Sequence, residues 1–163
     1  MRTDSLSRNR LAARLDAAVR AHEEPLPAPV FVVDVDAFDA NAADLVKRAG
    51  GKPVRVASKS LRVPALIRRA LSHEGFHGVL AYTLAEALWL EEQDISDDIL
   101  VAYPTVDRGA LTKLVASPRA ASRITLMVDD VAHLDVVDAL RASTAVRSAG
   151  WSPRRGRRRG SRS

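Results

Sequence analysis

A chain of 163 residues has the length of one domain and can bury a sizeable core. Its 47% apolar and 28% charged residues match a soluble globular protein, and no apolar run nears the roughly 18 residues of a membrane span, so no membrane partner is expected. Cysteine is absent, which excludes disulfides, thiolate metal sites and a cysteine nucleophile. The opening MRTDSLSRNRLAARL lacks the apolar stretch of a secretory signal, and a cytoplasmic location is the expectation. The net charge of +5 is concentrated at one end: residues 147–163 carry seven Arg and no acid, and without them 18 basic side chains face 20 acidic ones, a net of −2.

In chain order, residues 5–22 predict a helix with Leu6, Leu11, Leu15 and Val19 near one face. Pro25, Pro27 and Pro29 then impose an extended connector, which sets residues 1–29 apart from the rest of the chain. The run VFVVDV predicts a first strand over 30–35, with Asp36 as N-cap of a helix over 37–48 that Gly50-Gly51 ends. A second strand is expected over 54–57. Pro64 then opens a helix that turns Leu66, Ile67, Ala70 and Leu71 inward. A third strand over 78–81 leads to Thr83 and Glu86, spaced as a capping box for a helix ending near Glu92. A fourth strand over 98–102 precedes a helix over 107–115. A fifth over 123–128 precedes Asp129, read as the cap of a helix through about Leu140. Short apolar strands alternating with amphipathic helices are the signature of βα units on a parallel sheet. The expected fold is therefore α/β, a partial (β/α) TIM-type barrel over residues 30–145. It is followed by an Arg-rich tail over 146–163 with no apolar periodicity, expected to be disordered.

Lys59 is the leading candidate for chemistry. It lies just past the second strand in RVASKSLRVP, at the carboxyl end where parallel α/β proteins place their sites. At the mouth of an apolar interior the amine is expected to be partly desolvated, which favours the neutral form that adds to a carbonyl. The alternative is a lysine that lays its stem on the surface and keeps its head in water. Tyr82 and Tyr103 follow the third and fourth strands, where they would either line a pocket or pack beneath loops. Arg62 would meet a phosphate or simply begin a helix in solvent. Asp34 and Asp36 alternate on a strand, poor geometry for a metal pair; Asp36 reads as the cap and Asp34 as able to orient the first turn. His73 and His77, near a helix end and a strand start, do not read as a zinc pair, and no metal ligand is assigned.

Several segments resemble a known family. VFVVDVDAFDANAADL is similar to the opening of the alanine racemase N-terminal domain and its relatives, D-threonine aldolase and D-serine dehydratase. RVASKSLRVPAL resembles their R-P-H-x-K-T-H-K-x-P pattern, with Arg55, Lys59 and Pro64 matching. GVLAYTLAEALWL, DDILVAYPTV and RITLMVDD continue the likeness in order, so that it covers about residues 29–140. The resemblance implies an enzyme dependent on pyridoxal 5'-phosphate, acting on a D-amino acid, with Lys59 as catalytic and cofactor-binding residue through a Schiff base. Ala57 stands where the family has histidine, and Ser60-Leu61-Arg62 where it has T-H-K. This suits a subgroup of amino-acid deaminases and aldolases, and it leaves the substrate and the bond cleaved open, alanine racemase-like activity included. Counterparts of the family's later strands, phosphate turn, second catalytic group and metal ligands are not found. The chain therefore reads as an N-terminal, truncated part, inactive alone, of an enzyme that is a homodimer when complete. The first strand of such enzymes pairs partly with a C-terminal β-domain, so about four barrel strands are expected here. The Arg-rich tail offers a second reading, nonspecific contact with nucleic acid; against it stands a shift of reading frame in GC-rich DNA, which would produce the same composition.

Overall fold

Three prolines at alternate positions separate the first helix from the remainder of the chain, as the sequence requires. A computed structural model describes residues 5–144, so the Arg-rich tail expected over 146–163 lies outside the described residues. Two compact units divide the chain, Met1–Leu45 and Val46–Ser163.

The first unit holds helix α1 (Ser5–Arg20) and the start of helix α2 (Val35–Ala49). Between them the backbone of residues 30–34 is in no ladder, so the strand expected over 30–35 is not formed. Alternating apolar residues make a strand only when a neighbour accepts their backbone groups. Here Phe31 is 91% exposed, and Val35 already begins the helix. The cap also moves. The Ala37 N–H donates to Asp34 Oδ1 at 3.1 Å and the Phe38 N–H to the Asp34 carbonyl at 3.0 Å. Asp34 is therefore the N-cap, and Asp36 sits in the first turn, where its charge meets the positive end of the helix dipole. Asp34 also pairs with Arg14 at 3.5 Å. At the other end α2 stops at Gly50, whose φ of 59° is the left-handed turn that glycine takes without a Cβ penalty.

The second unit is built on four parallel strands, β1 (Val54–Ala57), β2 (Phe76–Ala81), β3 (Ile99–Val101) and β4 (Ile124–Leu126), lying side by side in sequence order. A doubly wound sheet reverses its strand order partway, whereas a barrel wall does not. Register puts Val56, Val79, Ile99 and Ile124 in one row, all buried. Ala81 and Val101 continue the same face. Against it lie helix α4 (Pro64–Leu71), through Ile67 and Ala70, and helix α5 (Leu84–Glu92), through Leu84, Ala87, Leu88 and Leu90. Helices α6 (Arg108–Ala116) and α8 (Ala132–Thr144) pack on each other beyond them. Each large apolar side chain buried this way stabilises by about 1.5–3 kcal/mol. The alternate row, Ala57, Leu80, Leu100 and Thr125, is only half-buried or exposed and faces the other side of the sheet.

Two short helices were not anticipated. Helix α3 (Ser58–Leu61) is a single turn leaving β1, and helix α7 (Pro118–Arg123) starts on Ser117, whose hydroxyl accepts the Ala120 N–H at 3.2 Å. The cap expected at Asp129 is supplied by Asp130, which accepts the Ala132 N–H at 2.8 Å.

Charged groups tie the unit together at the amino ends of its strands. Arg55 reaches over Gly78 of β2 to Asp98, just before β3, with Nη2 at 2.6 Å from Oδ2. Gly78, at φ 75°, makes room for this crossing. The carbonyl end of α5 is covered by arginines. Arg68 donates to the Gln93 and Asp94 carbonyls at 2.5 and 2.9 Å, and Arg119 to the Glu91 carbonyl at 2.7 Å, satisfying acceptors that the helix end leaves open. Arg119 Nε also bonds the carboxylate of Glu91, which is buried. Arg123 bonds Asp94 at 2.6 Å, and this hydrogen bond holds the Asp94 carboxyl below its ordinary value of 3.8. Among the described residues no helix is long and apolar enough to cross a membrane.

Candidate active site

The geometry at Lys59 starts with the residue before it. Ser58, fully buried, donates its hydroxyl to the Leu80 carbonyl at 3.3 Å and so pins the first residue after β1 to β2. After one turn Arg62 takes a left-handed φ of 37°, its N–H returning to the Ser58 carbonyl at 2.8 Å and its Nε donating to the Lys59 carbonyl at 3.2 Å. The backbone of Lys59 is thus held from both sides, at the carboxyl end of the sheet.

The side chain of Lys59 is exposed. The partial desolvation expected from its position is absent: among the described residues the four-stranded sheet does not enclose the amine. The amine instead meets two aromatic rings. Its Nζ lies 5.9 Å from the ring centroid of Tyr82 and 5.9 Å from that of Tyr103, at the outer edge of the roughly 6 Å reach of a cation–π contact. The two rings meet edge to face, with centroids 5.2 Å apart and planes at 78°. At such exposed positions each contact contributes about 0.5–1 kcal/mol.

Both tyrosines arrive from neighbouring strand ends. Tyr82 follows β2 directly, and its N–H donates to Glu86 Oε2 at 2.8 Å, while the Glu86 N–H donates to Thr83 Oγ1 at 3.1 Å. The capping box read from Thr83 and Glu86 is present, but its carboxylate reaches back one residue further than the usual partner, to Tyr82. Tyr103 lies two residues past β3, beyond an Ala102 N–H bonded to the Ala81 carbonyl at 3.0 Å. A cavity of about 340 Å³ opens beside the pair, between the loops that precede α5 and α6, and it is lined by Tyr82, Thr83, Tyr103, Pro104, Thr105 and Asp107. That volume is at the small end of the roughly 300–1,000 Å³ typical of small-molecule sites.

The structure therefore brings together Lys59, Tyr82 and Tyr103, with Arg62 next to the lysine backbone. Within the second unit it separates the other candidates from them. Arg55 spends its guanidinium on Asp98 at the opposite ends of the strands, and Pro64 begins α4. His77 lies 3.1 Å from Asp98 Oδ2 and His73 packs on Phe76, so neither is beside Lys59. Among the described residues no group of three or more His, Cys, Asp or Glu could hold a metal ion. Asp34 and Asp36 belong to the other unit. The buried Ser58 and the grip of Glu86 on Tyr82 were not foreseen. A small residue directly before the lysine was the available signal for the first, and the T-L-A-E spacing for the second.

A family profile described as "Alanine racemase, N-terminal domain" matches residues 33–149. Among solved structures, the D-threonine aldolase from Filomicrobium marinum superposes with a TM-score of 0.63 at 22% sequence identity, over 74% of this chain and 32% of that one. The chain thus spans about a third of that structure's length, and the likeness establishes a shared fold, the partial TIM-type barrel. No curated protein matches.

Proposed function

Because the chain belongs to the alanine racemase N-terminal-domain family, we infer that it carries the cofactor lysine of a pyridoxal 5'-phosphate-dependent enzyme acting on amino acids, and that this lysine is Lys59. The observation that carries the reading is the placement of its Nζ at the carboxyl end of the sheet, equidistant from two aromatic rings that themselves line a small cavity.

The residues present fit such a cofactor. Its aldehyde calls for a primary amine on an anchored backbone, which Lys59 supplies. Its flat ring calls for apolar or aromatic surface, which Tyr82 and Tyr103 supply. When bound, pyridoxal phosphate contributes a ring that takes up the electron pair released as a bond at the amino acid's Cα is broken. With the cofactor bound, the Lys59 amine would be the group at this end of the sheet able to hold or move a proton. Arg62, left-handed and adjacent, brings a guanidinium to the same end of the sheet for an anionic group.

The finer assignment rests on the family resemblance. We propose a deaminase or aldolase of the D-threonine aldolase or D-serine dehydratase kind, with a D-amino acid as substrate, and the complete protein as the active form. Titration with pyridoxal phosphate tests the first step. A new absorbance band is expected with the parent chain, lost in Lys59→Ala and kept in Lys52→Ala and Lys113→Ala. Equal spectra for all four proteins would overturn the assignment of Lys59.

A further inference from the structure

An exposed lysine has great rotamer freedom, and nothing in a single turn of helix tells its head where to rest. Here the head lies in a corner. The Tyr82 and Tyr103 planes stand at 78° to each other, and Nζ is 5.9 Å from both centroids. The corner is anchored independently on three sides. Glu86 holds the Tyr82 backbone, the Ala102–Ala81 bond holds the segment leading to Tyr103, and Ser58 holds the base of the lysine. Both rings are about half exposed, 46% and 50%, so burial of the tyrosines themselves does not account for their meeting. An aromatic face attracts a cation through its quadrupole, and two faces at right angles define one position where one face would leave it free to slide.

We propose that Tyr82 and Tyr103 are positioning residues for Lys59, their ring faces seating its cationic head at the carboxyl ends of β2 and β3. The functional meaning of this seat rests on the reading of Lys59 as the reactive amine; its geometry does not. Because the ring faces carry the effect, the phenolic hydroxyls are dispensable, so phenylalanine replaces either tyrosine and leucine does not.

The test is reductive ¹³C-dimethylation of the full chain, which keeps each lysine charged, followed by NMR of the methyl groups, with Lys59→Arg identifying the Lys59 signal. Ring currents from two tyrosines shift that signal upfield of those from Lys47, Lys52 and Lys113. The displacement persists in Tyr82→Phe and Tyr103→Phe, shrinks in Tyr82→Leu and Tyr103→Leu, and vanishes in the double leucine variant, with circular dichroism unchanged. A Lys59 signal coincident with the other lysines in the parent chain overturns the proposal. So does a displacement that survives both leucines, or one lost in a phenylalanine variant that is folded. Should the leucine variants fail to fold, the parent and phenylalanine spectra still decide. Spectral titration with pyridoxal phosphate is run alongside: a shifted Lys59 signal without cofactor binding leaves the seat standing and removes the enzyme reading, and cofactor binding at Lys59 without a shifted signal does the reverse.

Discussion

Replacing Gly78 by alanine should be among the most damaging single-methyl changes in the second unit. Gly78 has φ 75°, which costs an L-residue about 1–2 kcal/mol. A Cβ there would lie 2.7 Å from the Asp98 carbonyl oxygen, 3.0 Å from Asp98 Oδ2, and against the Arg55 guanidinium. Arg55 is the end of a long side chain and can retreat. The Asp98 carbonyl cannot, because it accepts the Val79 N–H at 2.9 Å in the β2–β3 ladder. Forcing these groups apart adds about 1–3 kcal/mol, the usual cost of overpacking, for a total of about 2–5 kcal/mol. Gly51 supplies the control: its φ is 83°, but nothing lies within 4 Å of the position of a Cβ, so Gly51→Ala should cost only the backbone part, about 1–2 kcal/mol. Urea denaturation monitored by circular dichroism measures both. Gly78→Ala should lower the midpoint by more than Gly51→Ala at unchanged slope. Equal midpoints for the two variants would refute the close approach of the Asp98 carbonyl to β2 at Gly78.

Arg55→Met keeps the stem and removes the charge, leaving Asp98 with one partner fewer. A loss of about 1–2 kcal/mol is expected for a half-exposed charged hydrogen bond, read from the same denaturation curves, and no loss would show the Arg55–Asp98 pair to be idle. Asp94 should make stability fall in acid. Its folded carboxyl sits below 3.8, held there by the hydrogen bond from Arg123, so its contribution is complete above that value and is lost as pH drops through the lower folded one. Asp94→Asn should therefore flatten the decline below about pH 3.8; a decline as steep as in the parent chain would exclude Asp94 as a source.

Much of the second unit is legible in its sequence because local and tertiary signals agree. β-branched runs bounded by Gly, Pro and caps fall where β1 to β4 lie, and Thr83 and Asp107 begin α5 and α6 as their hydroxyl and carboxylate chemistry suggests. The failures have one physical origin. Residues 30–35 carry a strand's alternation, but pairing is supplied by a neighbour and alternation cannot reveal whether one is there. Asp34 and Asp36 are both good caps, and only the observed start of α2 at Val35 chooses between them. At the site, position after the strands brings Lys59, Tyr82 and Tyr103 to the same end of the sheet, and the motif resemblance, more than position, singles out Lys59. The exposure of the amine was not legible, since it depends on how far the ring of strands continues around it. Nor was the role of Arg55, which matches the family pattern in sequence yet acts at the far end of its strand, because a neighbouring glycine leaves space for its side chain.

Under the proposed function one amine, that of Lys59, bonds to the aldehyde of pyridoxal phosphate. Borohydride reduction in the presence of pyridoxal phosphate, with subsequent proteolysis and mass mapping, tests it directly. The pyridoxyl adduct should appear on the peptide containing Lys59, ahead of Lys47, Lys52 and Lys113. Adducts spread evenly over the four lysines, or absent from Lys59, would contradict it.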